Sequence, residues 1–213
     1  CDGMTLGKTF RYQGERMLDF ILSLTSKSRP ETIVLSSARH FNENSLRKIE
    51  NECERLIVFD KELFSRYDIP EYITPDRAAS IIASRYLFKG KGIMIFDFGT
   101  TLTVDFLDET GRYEGGNISP GCRTRFRSLN RYTKSLPLVN APHEDSYPGT
   151  GLVSSIESGV ISGIIFELEG YISRHTEKIS VFTGRSPIYF AKRMKNSIFA
   201  LSNLVLTGLA LIA

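Results

Sequence analysis

Gly92-Ile-Met-Ile-Phe-Asp-Phe-Gly-Thr-Thr101 is the stretch of sequence that decides the fold. Its four consecutive apolar residues, 93–96, are typical of a strand that is buried on both faces. Asp97 closes this strand, and the glycine and two threonines after it lead into an alternating segment, residues 101–107. Asp108-Glu-Thr-Gly111 then reverses the chain, so the whole region predicts a buried strand that continues into an antiparallel hairpin.

Strand and helix patterns alternate along the rest of the chain. Short apolar runs at residues 32–36 and 56–59 predict buried strands. Either Asn42 or Asn44 caps the first predicted helix. The helices are predicted at residues 42–55, 76–87, 123–132, 152–174 and 187–195, and further strands at 178–183 and 204–206. This alternation predicts an α/β architecture with a mixed sheet.

Composition excludes several classes of protein. The 213 residues are 41% hydrophobic and 24% charged, which is ordinary for a globular chain and argues against disorder, collagen-like repeats and a disulfide-stapled miniprotein. The net charge of +3 is too weak to indicate a nucleic-acid partner, since phosphate binding needs a concentrated basic face. The basic residues between 123 and 134 are interpreted as one solvated helix face.

The cysteines and the apolar tail bear on location. Cys1, Cys53 and Cys122 show no C-x-x-C spacing and are interpreted as free thiols in a reducing compartment. The apolar residues 198–213 are fewer than the roughly 20 that a membrane span needs. Because no signal-peptide pattern is visible either, we expect a cytoplasmic protein without a membrane partner.

The segment Asp97-Phe-Gly-Thr-Thr101 carries the strongest local signal for chemistry. Glycine lets a backbone approach a ligand closely, turn amides face phosphate oxygens, and a carboxylate binds a cation. The segment therefore suits a phosphate or cation site. A plain hairpin entry explains the same residues without any ligand.

A second signal is Thr74-Pro-Asp-Arg77 at the start of a predicted helix. Asp76 could accept a proton from a substrate hydroxyl, and Arg77 could hold a substrate carboxylate. The alternative is that Asp76 caps the helix and Arg77 is solvated. Gly115–Gly121 and Val181–Gly184 are weaker signals, for which a structural turn is the default interpretation.

Taken in order, these segments resemble type III pantothenate kinase, and the Bacteroidetes branch of that family in particular. The resemblance runs from about residue 32 to the C-terminus. The stretches that carry it are Tyr67-Asp-Ile-Pro-Glu-Tyr-Ile-Thr-Pro-Asp-Arg77, Asp97-Phe-Gly-Thr-Thr-Leu-Thr-Val-Asp105, Gly111-Arg-Tyr-Glu-Gly-Gly-Asn-Ile-Ser-Pro-Gly121, Ser158-Gly-Val160, Thr183-Gly184 and Leu206-Thr-Gly-Leu209.

The resemblance implies both a fold and a reaction. The fold is two ribonuclease-H-like domains of the acetate and sugar kinase/actin superfamily, here residues 1–90 and 91–213, in a homodimer. The reaction is ATP-dependent phosphorylation of the primary hydroxyl of pantothenate to 4'-phosphopantothenate, the first step of coenzyme A biosynthesis. Mg²⁺ and a monovalent cation, K⁺ or NH₄⁺, accompany ATP in the family.

The resemblance also assigns roles to individual residues. Asp76 matches the family's proton acceptor, Asp97 its ligand for the monovalent cation, and Thr100 a residue that binds ATP. The residues that match the substrate-binding motif are Tyr67, Thr74, Pro75, Asp76 and Arg77. The family's substrate-binding threonine falls on Leu152, two residues after Thr150, which could replace it if the loop shifts.

The start of the chain departs from the family pattern. The family opens with a strand and an Asp-x-Gly-Asn-Thr phosphate loop that nothing in this sequence matches, so we expect the native N-terminus to precede Cys1 and this chain alone to be inactive. Two alternatives to the kinase stay open. One is a regulatory or binding protein on the same scaffold, and the other is a kinase for a different small hydroxylated acid.

Overall fold

Two sheets organise the chain, and each belongs to a different structural unit. The computed structural model describes residues 6–10, 12, 14–37, 41–140 and 147–213. Unit 1 comprises Cys1–Leu87 and Leu204–Ala213, and unit 2 comprises Phe88–Asn203. In chain order the elements are α1 (Met17–Ser28), β1 (Thr32–Ser36), α2 (Glu43–Glu50), β2 (Arg55–Phe59), α3 (Lys61–Phe64), α4 (Pro75–Leu87), β3 (Ile93–Phe98), β4 (Thr101–Leu107), β5 (Tyr113–Pro120), α5 (Cys122–Tyr132), α6 (Leu152–Arg174), β6 (Ile179–Gly184), α7 (Pro187–Ala191), β7 (Ile198–Ala200) and α8 (Leu204–Ala210).

The sheet of unit 1 consists of the parallel pair β1 and β2, with α2 in the connection between them. Asn42 caps α2, because its side chain accepts a hydrogen bond from the Ser45 N–H at 2.8 Å. Of the two predicted caps, Asn42 is therefore confirmed. The helix ends at Glu50, earlier than predicted, and β2 already begins at Arg55.

The C-terminal helix α8 packs against α4 inside unit 1. A Cβ on Gly208 would overlap the Ala79 carbonyl oxygen and lie 3.0 Å from Ala79 Cα, so the two helices meet backbone to backbone. The predicted strand at residues 204–206 is wrong, because these residues form the first turn of α8. Residues 204–213 were predicted to belong to the second domain, whereas in the structure they pack with unit 1.

Unit 2 contains a five-stranded mixed sheet in the order β5-β4-β3-β6-β7. The β4 strand is antiparallel to β3 and β5, while β6 and β7 run parallel to β3. One face of β3 carries Met94, Phe96 and Phe98, which belong to a hydrophobic core shared with α5 and α6. The predicted α/β architecture with a mixed sheet is thus confirmed, and the strand order of this unit is that of a ribonuclease-H-like domain.

No helix formed by the described residues combines the length and the apolar character needed to cross a bilayer.

Candidate active site

Asp97 lies at the carboxyl end of β3, between two buried threonines on the neighbouring strands. Asp97 is opposite Thr103 of β4 on one side and opposite Thr183 of β6 on the other, so the three side chains share one face of the sheet. The hydroxyls of both threonines are buried, and neither has a hydrogen-bond partner within the described part of the chain. Buried hydroxyls are normally satisfied, so this pair marks a polar position that the described residues do not complete.

Gly184 lets the Asp97 carboxylate lie directly against the end of β6. The backbone of Gly184 has a φ of +86°, a conformation that favours glycine. A Cβ at this position would overlap Asp97 Oδ1 and lie 2.6 Å from the Phe98 carbonyl oxygen. The next residue, Arg185, donates its N–H to the same Phe98 oxygen at 2.6 Å. The predicted Thr-Gly segment is therefore in contact with the predicted cation ligand.

The loop that carries Thr100 is fixed through its backbone. The Thr100 carbonyl accepts hydrogen bonds from the Gly121 N–H at 3.0 Å and from the Thr124 hydroxyl at 2.5 Å. The Gly99 N–H donates to the Thr101 oxygen at 2.9 Å, which closes the turn. The side chain of Thr100 is exposed at the tip of this rigid loop, where a ligand could reach it.

A buried ion pair holds the segment before Gly121, which in turn contacts the Thr100 loop. Arg125 on α5 is paired with Glu167 on α6, and both side chains are about four-fifths buried. Glu167 also accepts a hydrogen bond from the Ser119 hydroxyl at 2.7 Å, and Arg125 Nε donates to the Pro120 carbonyl at 2.8 Å. These contacts hold the segment that leads into Gly121, and through Gly121 they hold the Thr100 loop.

Beside this loop, unit 2 contains a cavity of about 330 Å³, within the size range of small-molecule sites. Its wall includes Gly99 and Gly121 from the loop region. The apolar and aromatic lining residues are Phe98, Leu102, Phe126, Ile164, Tyr189 and Phe190. The Arg193 guanidinium covers the ring of Tyr189 at 3.7 Å from its centroid, which orients that ring.

The cavity wall also contains a free thiol. Cys122 is the first residue of α5 and is half-buried. Burial raises the pKa of this thiol, and the positive charge of Arg125 partly offsets the effect.

Asp76 lies in the first turn of α4 in unit 1. The helix begins at Pro75, as is favourable for proline, and the Ala78 N–H donates to the Thr74 carbonyl at 2.9 Å. Asp76 and Thr74 are exposed, whereas Arg77 is 5% exposed. Neighbouring helix positions point about 100° apart, so the carboxylate and the guanidinium diverge rather than form one bidentate clamp.

Tyr67 is held near the other end of α4. The Arg85 guanidinium donates to the Tyr67 carbonyl, and also to the Asp68 carbonyl at 3.3 Å. The half-buried Tyr67 ring packs edge-on against Phe59 at 6.1 Å. Arg85 is nine residues after Asp76, or about 13 Å along the helix axis.

The structure brings the predicted residues together in two groups, one in each unit. Thr74, Pro75 and Asp76 surround the start of α4, with Arg77 turned into the protein and Tyr67 beside the far end of the helix. Asp97 lies near the end of β3, and Thr100 lies in the loop that follows this strand. Sequence reasoning assigned no role to the two buried hydroxyls or to the residues of the cavity. The alternation of residues 101–107 was a usable signal for Thr103, because it places a polar side chain on a strand that is otherwise buried.

The strand order of the sheet of unit 2 and the loop at its carboxyl edge define an α/β protein with a ribonuclease-H-like fold. A solved structure of a Baf family transcriptional activator from Campylobacter jejuni has a similar fold, with a TM-score of 0.60 and 18% identity over 90% of this chain and 86% of that one. The chain belongs to the type III pantothenate kinase family, which it matches over residues 3–174. The resemblance seen in the sequence is confirmed.

Individual relatives agree with this assignment. A type III pantothenate kinase of Azobacteroides pseudotrichonymphae genomovar. CFP2 is 32% identical over 98% of this chain and 87% of that relative. One of Bacteroides fragilis is 32% identical over 93% of this chain and 85% of its own length. Another, of Phocaeicola vulgatus, is 40% identical over 67% of this chain and 61% of that relative.

Proposed function

We propose that this protein transfers the γ-phosphoryl group of ATP to the primary hydroxyl of pantothenate and so opens coenzyme A biosynthesis. The observation that carries the proposal is the end of β3 and the loop after it, where Asp97 lies between two hydroxyls that lack partners among the described residues and Thr100 is exposed on a fixed backbone. Such a loop offers a cation ligand and phosphate-facing groups in one place. Phosphoryl transfer depends mainly on positioning and on neutralising charge, which this arrangement can supply.

Asp76 is proposed as the proton acceptor. The pantothenate hydroxyl oxygen forms a bond to the γ-phosphorus while the bond from that phosphorus to the β–γ bridging oxygen breaks, and ADP leaves. The hydroxyl proton goes to the Asp76 carboxylate, which is exposed at the start of α4. Thr74, Pro75 and Tyr67 are proposed to contribute to pantothenate binding, because they match the family's substrate-binding motif. Arg77 matches the same motif but is buried, so we propose that it supports the start of α4 from within the protein.

The base of ATP is proposed to occupy the cavity of unit 2, with its phosphates towards Thr100. The aromatic lining suits a flat heterocycle, and the adjoining glycines let the ligand approach the backbone. Among the described residues, no three His, Cys, Asp or Glu side chains group together as a metal site. Mg²⁺ is commonly held by substrate phosphates and one or two carboxylates, so we propose that it binds together with ATP.

A monovalent cation fits the surroundings of Asp97. The carboxylate and the hydroxyls of Thr103 and Thr183 are all oxygen ligands, the type that K⁺ prefers. The two hydroxyls lack partners within the described chain, so a cation at Asp97 would satisfy them. K⁺ or NH₄⁺ would neutralise negative charge beside the ATP phosphates.

We also propose that the protein is cytoplasmic and forms a homodimer. The family resemblance supports the dimer, and so do the exposed apolar side chains of Leu152, Val153 and Phe166 on α6. The Tyr147 ring packs edge-on against Phe166, 6.5 Å between centroids, and is itself exposed. The Tyr147 and Phe166 rings form an apolar surface that a second copy would cover.

The direct test is ADP release by the full-length protein with Mg²⁺, with and without K⁺, after sedimentation velocity has established the oligomeric state. We expect a dimer whose ADP release requires pantothenate and is stimulated by K⁺. Release that is faster with another small hydroxylated acid would favour a kinase with a different acceptor. A folded dimer that binds both ligands but releases no ADP would contradict the proposal and favour a regulatory protein on this scaffold.

Occupation of the cavity can be measured through its thiol. We expect ATP at ten times its Kd to slow the alkylation of Cys122 about tenfold, because a bound base blocks access to the cavity wall. The reaction should be run near pH 9, since burial raises the pKa of this thiol and the thiolate is the reactive form. Cys53 is a control within the same chain, because it does not line the cavity. Equal protection of both thiols, or of neither, would contradict this placement of the base.

A further inference from the structure

Two arginines in the wall of the cavity have no anionic partner among the described residues. Arg123, in the first turn of α5, and Arg185, just after β6, are both exposed and both line the cavity. Within the described ranges neither guanidinium forms an ion pair or a hydrogen bond. These two positive charges lie beside a cavity whose lining is mainly apolar.

Backbone hydrogen bonds connect the segments that carry both arginines to residues 98–100 at the end of β3. Arg185 donates its backbone N–H to the Phe98 carbonyl at 2.6 Å. Arg123 follows Gly121 by two residues, and the Gly121 N–H donates to the Thr100 carbonyl at 3.0 Å. The two side chains therefore begin from backbone positions that are fixed on either side of residues 98–100, although the side chains themselves are exposed.

Other arginines near the cavity already have partners. Arg125 is paired with Glu167, and Arg193 covers the Tyr189 ring. Arg123 and Arg185 are different, since neither guanidinium has such a partner among the described residues. Guanidinium groups bind phosphate, like carboxylate, by two parallel hydrogen bonds, so the phosphate of a nucleotide is an anion that they suit.

We propose that Arg123 and Arg185 bind the phosphate nearest the base of the nucleotide, and that they make this site selective for nucleotides over nucleosides. The inference rests on the proposed function, because it takes the base of ATP as the occupant of the cavity. The apolar lining binds the base, and the two guanidiniums bind the first phosphate where the nucleotide leaves the cavity. The remaining phosphates continue towards Thr100.

The test compares AMP with adenosine in equilibrium binding to the full-length protein, without pantothenate. We expect Arg185→Gln and Arg123→Gln each to weaken AMP binding about tenfold, as for one charge-assisted contact that is partly exposed to solvent. Adenosine binding should be unchanged in both variants. Its retention also shows that the variants are folded and that the cavity is intact.

Arg127→Gln is the matched control. Arg127 is an exposed arginine on the same helix as Arg123 but does not line the cavity, so the variant removes the same charge at a different place. We expect it to leave the ratio of AMP to adenosine affinity unchanged. A similar loss of AMP binding in all three variants would mean that the loss follows from the lower net positive charge and not from contacts in the cavity, and would overturn the proposal.

The remaining outcomes separate this inference from the proposed function. AMP affinity that is unchanged in the double variant overturns the role of the arginines, whether or not the protein phosphorylates pantothenate. Equal losses of AMP and adenosine affinity indicate a structural role and also overturn it. A wild-type protein that prefers AMP through these arginines but shows no turnover would support the inference and contradict the kinase.

Discussion

Replacing Asp76 with asparagine is expected to lower kcat for pantothenate phosphorylation by about 10²–10⁴-fold, the usual contribution of a general base. Asparagine keeps the size and a hydrogen-bonding oxygen of the side chain but cannot accept the hydroxyl proton. ATP and pantothenate binding should change little, because the variant removes a proton acceptor and not a wall of either site. Single-turnover ADP release and equilibrium binding, measured side by side, check both parts.

Asp19→Asn is the matched control for this experiment. Asp19 is also an exposed acidic residue in the first turn of a unit 1 helix, α1. Both substitutions remove a favourable interaction with a helix dipole, which is about 0.3–1 kcal/mol of stability at an exposed position. We expect similar small losses of stability in the two variants and a loss of turnover in Asp76→Asn alone. Near-normal turnover in Asp76→Asn would remove the proposed role of this carboxylate.

Elements with strong local patterns could be predicted from the sequence. The strand at residues 32–36 and the helix at residues 152–174 have the predicted bounds, because a β-branched run and a long apolar stretch each favour one structure. Leu204-Val-Leu206 was wrongly predicted as a strand, since a short apolar run does not distinguish a strand from a buried helix. Its contact with α4 through Gly208 selects the helix, and no local pattern contains that contact.

The site could be predicted only where its residues are close in sequence. Asp97 and Thr100 belong to one motif, so a single stretch revealed both. Thr183 becomes a neighbour of Asp97 because β6 pairs in parallel with β3, a pairing between strands that are distant in the chain. Arg123 and Arg185 line one cavity although they are distant in the chain, since one follows β5 and the other follows β6 in the same sheet.

Replacing Gly184 with alanine is expected to lower both the stability of the protein and its response to K⁺. At a φ of +86° an L side chain is strained by about 1–2 kcal/mol, and the new Cβ also meets Asp97 Oδ1 and the backbone of Phe98. Backbone atoms cannot move aside as a flexible side chain does, so crowding adds about 1–3 kcal/mol. Because Asp97 must shift, we expect K⁺ stimulation of turnover to be lost. Thermal unfolding and K⁺-dependent ADP release check the two effects.

Substitutions at two other glycines of unit 2 distinguish backbone strain from crowding by the new Cβ. Gly90 has a φ of +74°, and a Cβ at this position would meet nothing within 4 Å, so Gly90→Ala should show the backbone strain without the crowding. Gly159 lies inside α6 with equally open space, and Gly159→Ala should be neutral or stabilising by about 0.5–1 kcal/mol. If Gly184→Ala is no less stable than Gly90→Ala and still responds to K⁺, the close approach to Asp97 has no functional role. If the Gly184→Ala loss shrinks when Asp97→Ala is added, the carboxylate itself is the group that requires glycine at this position.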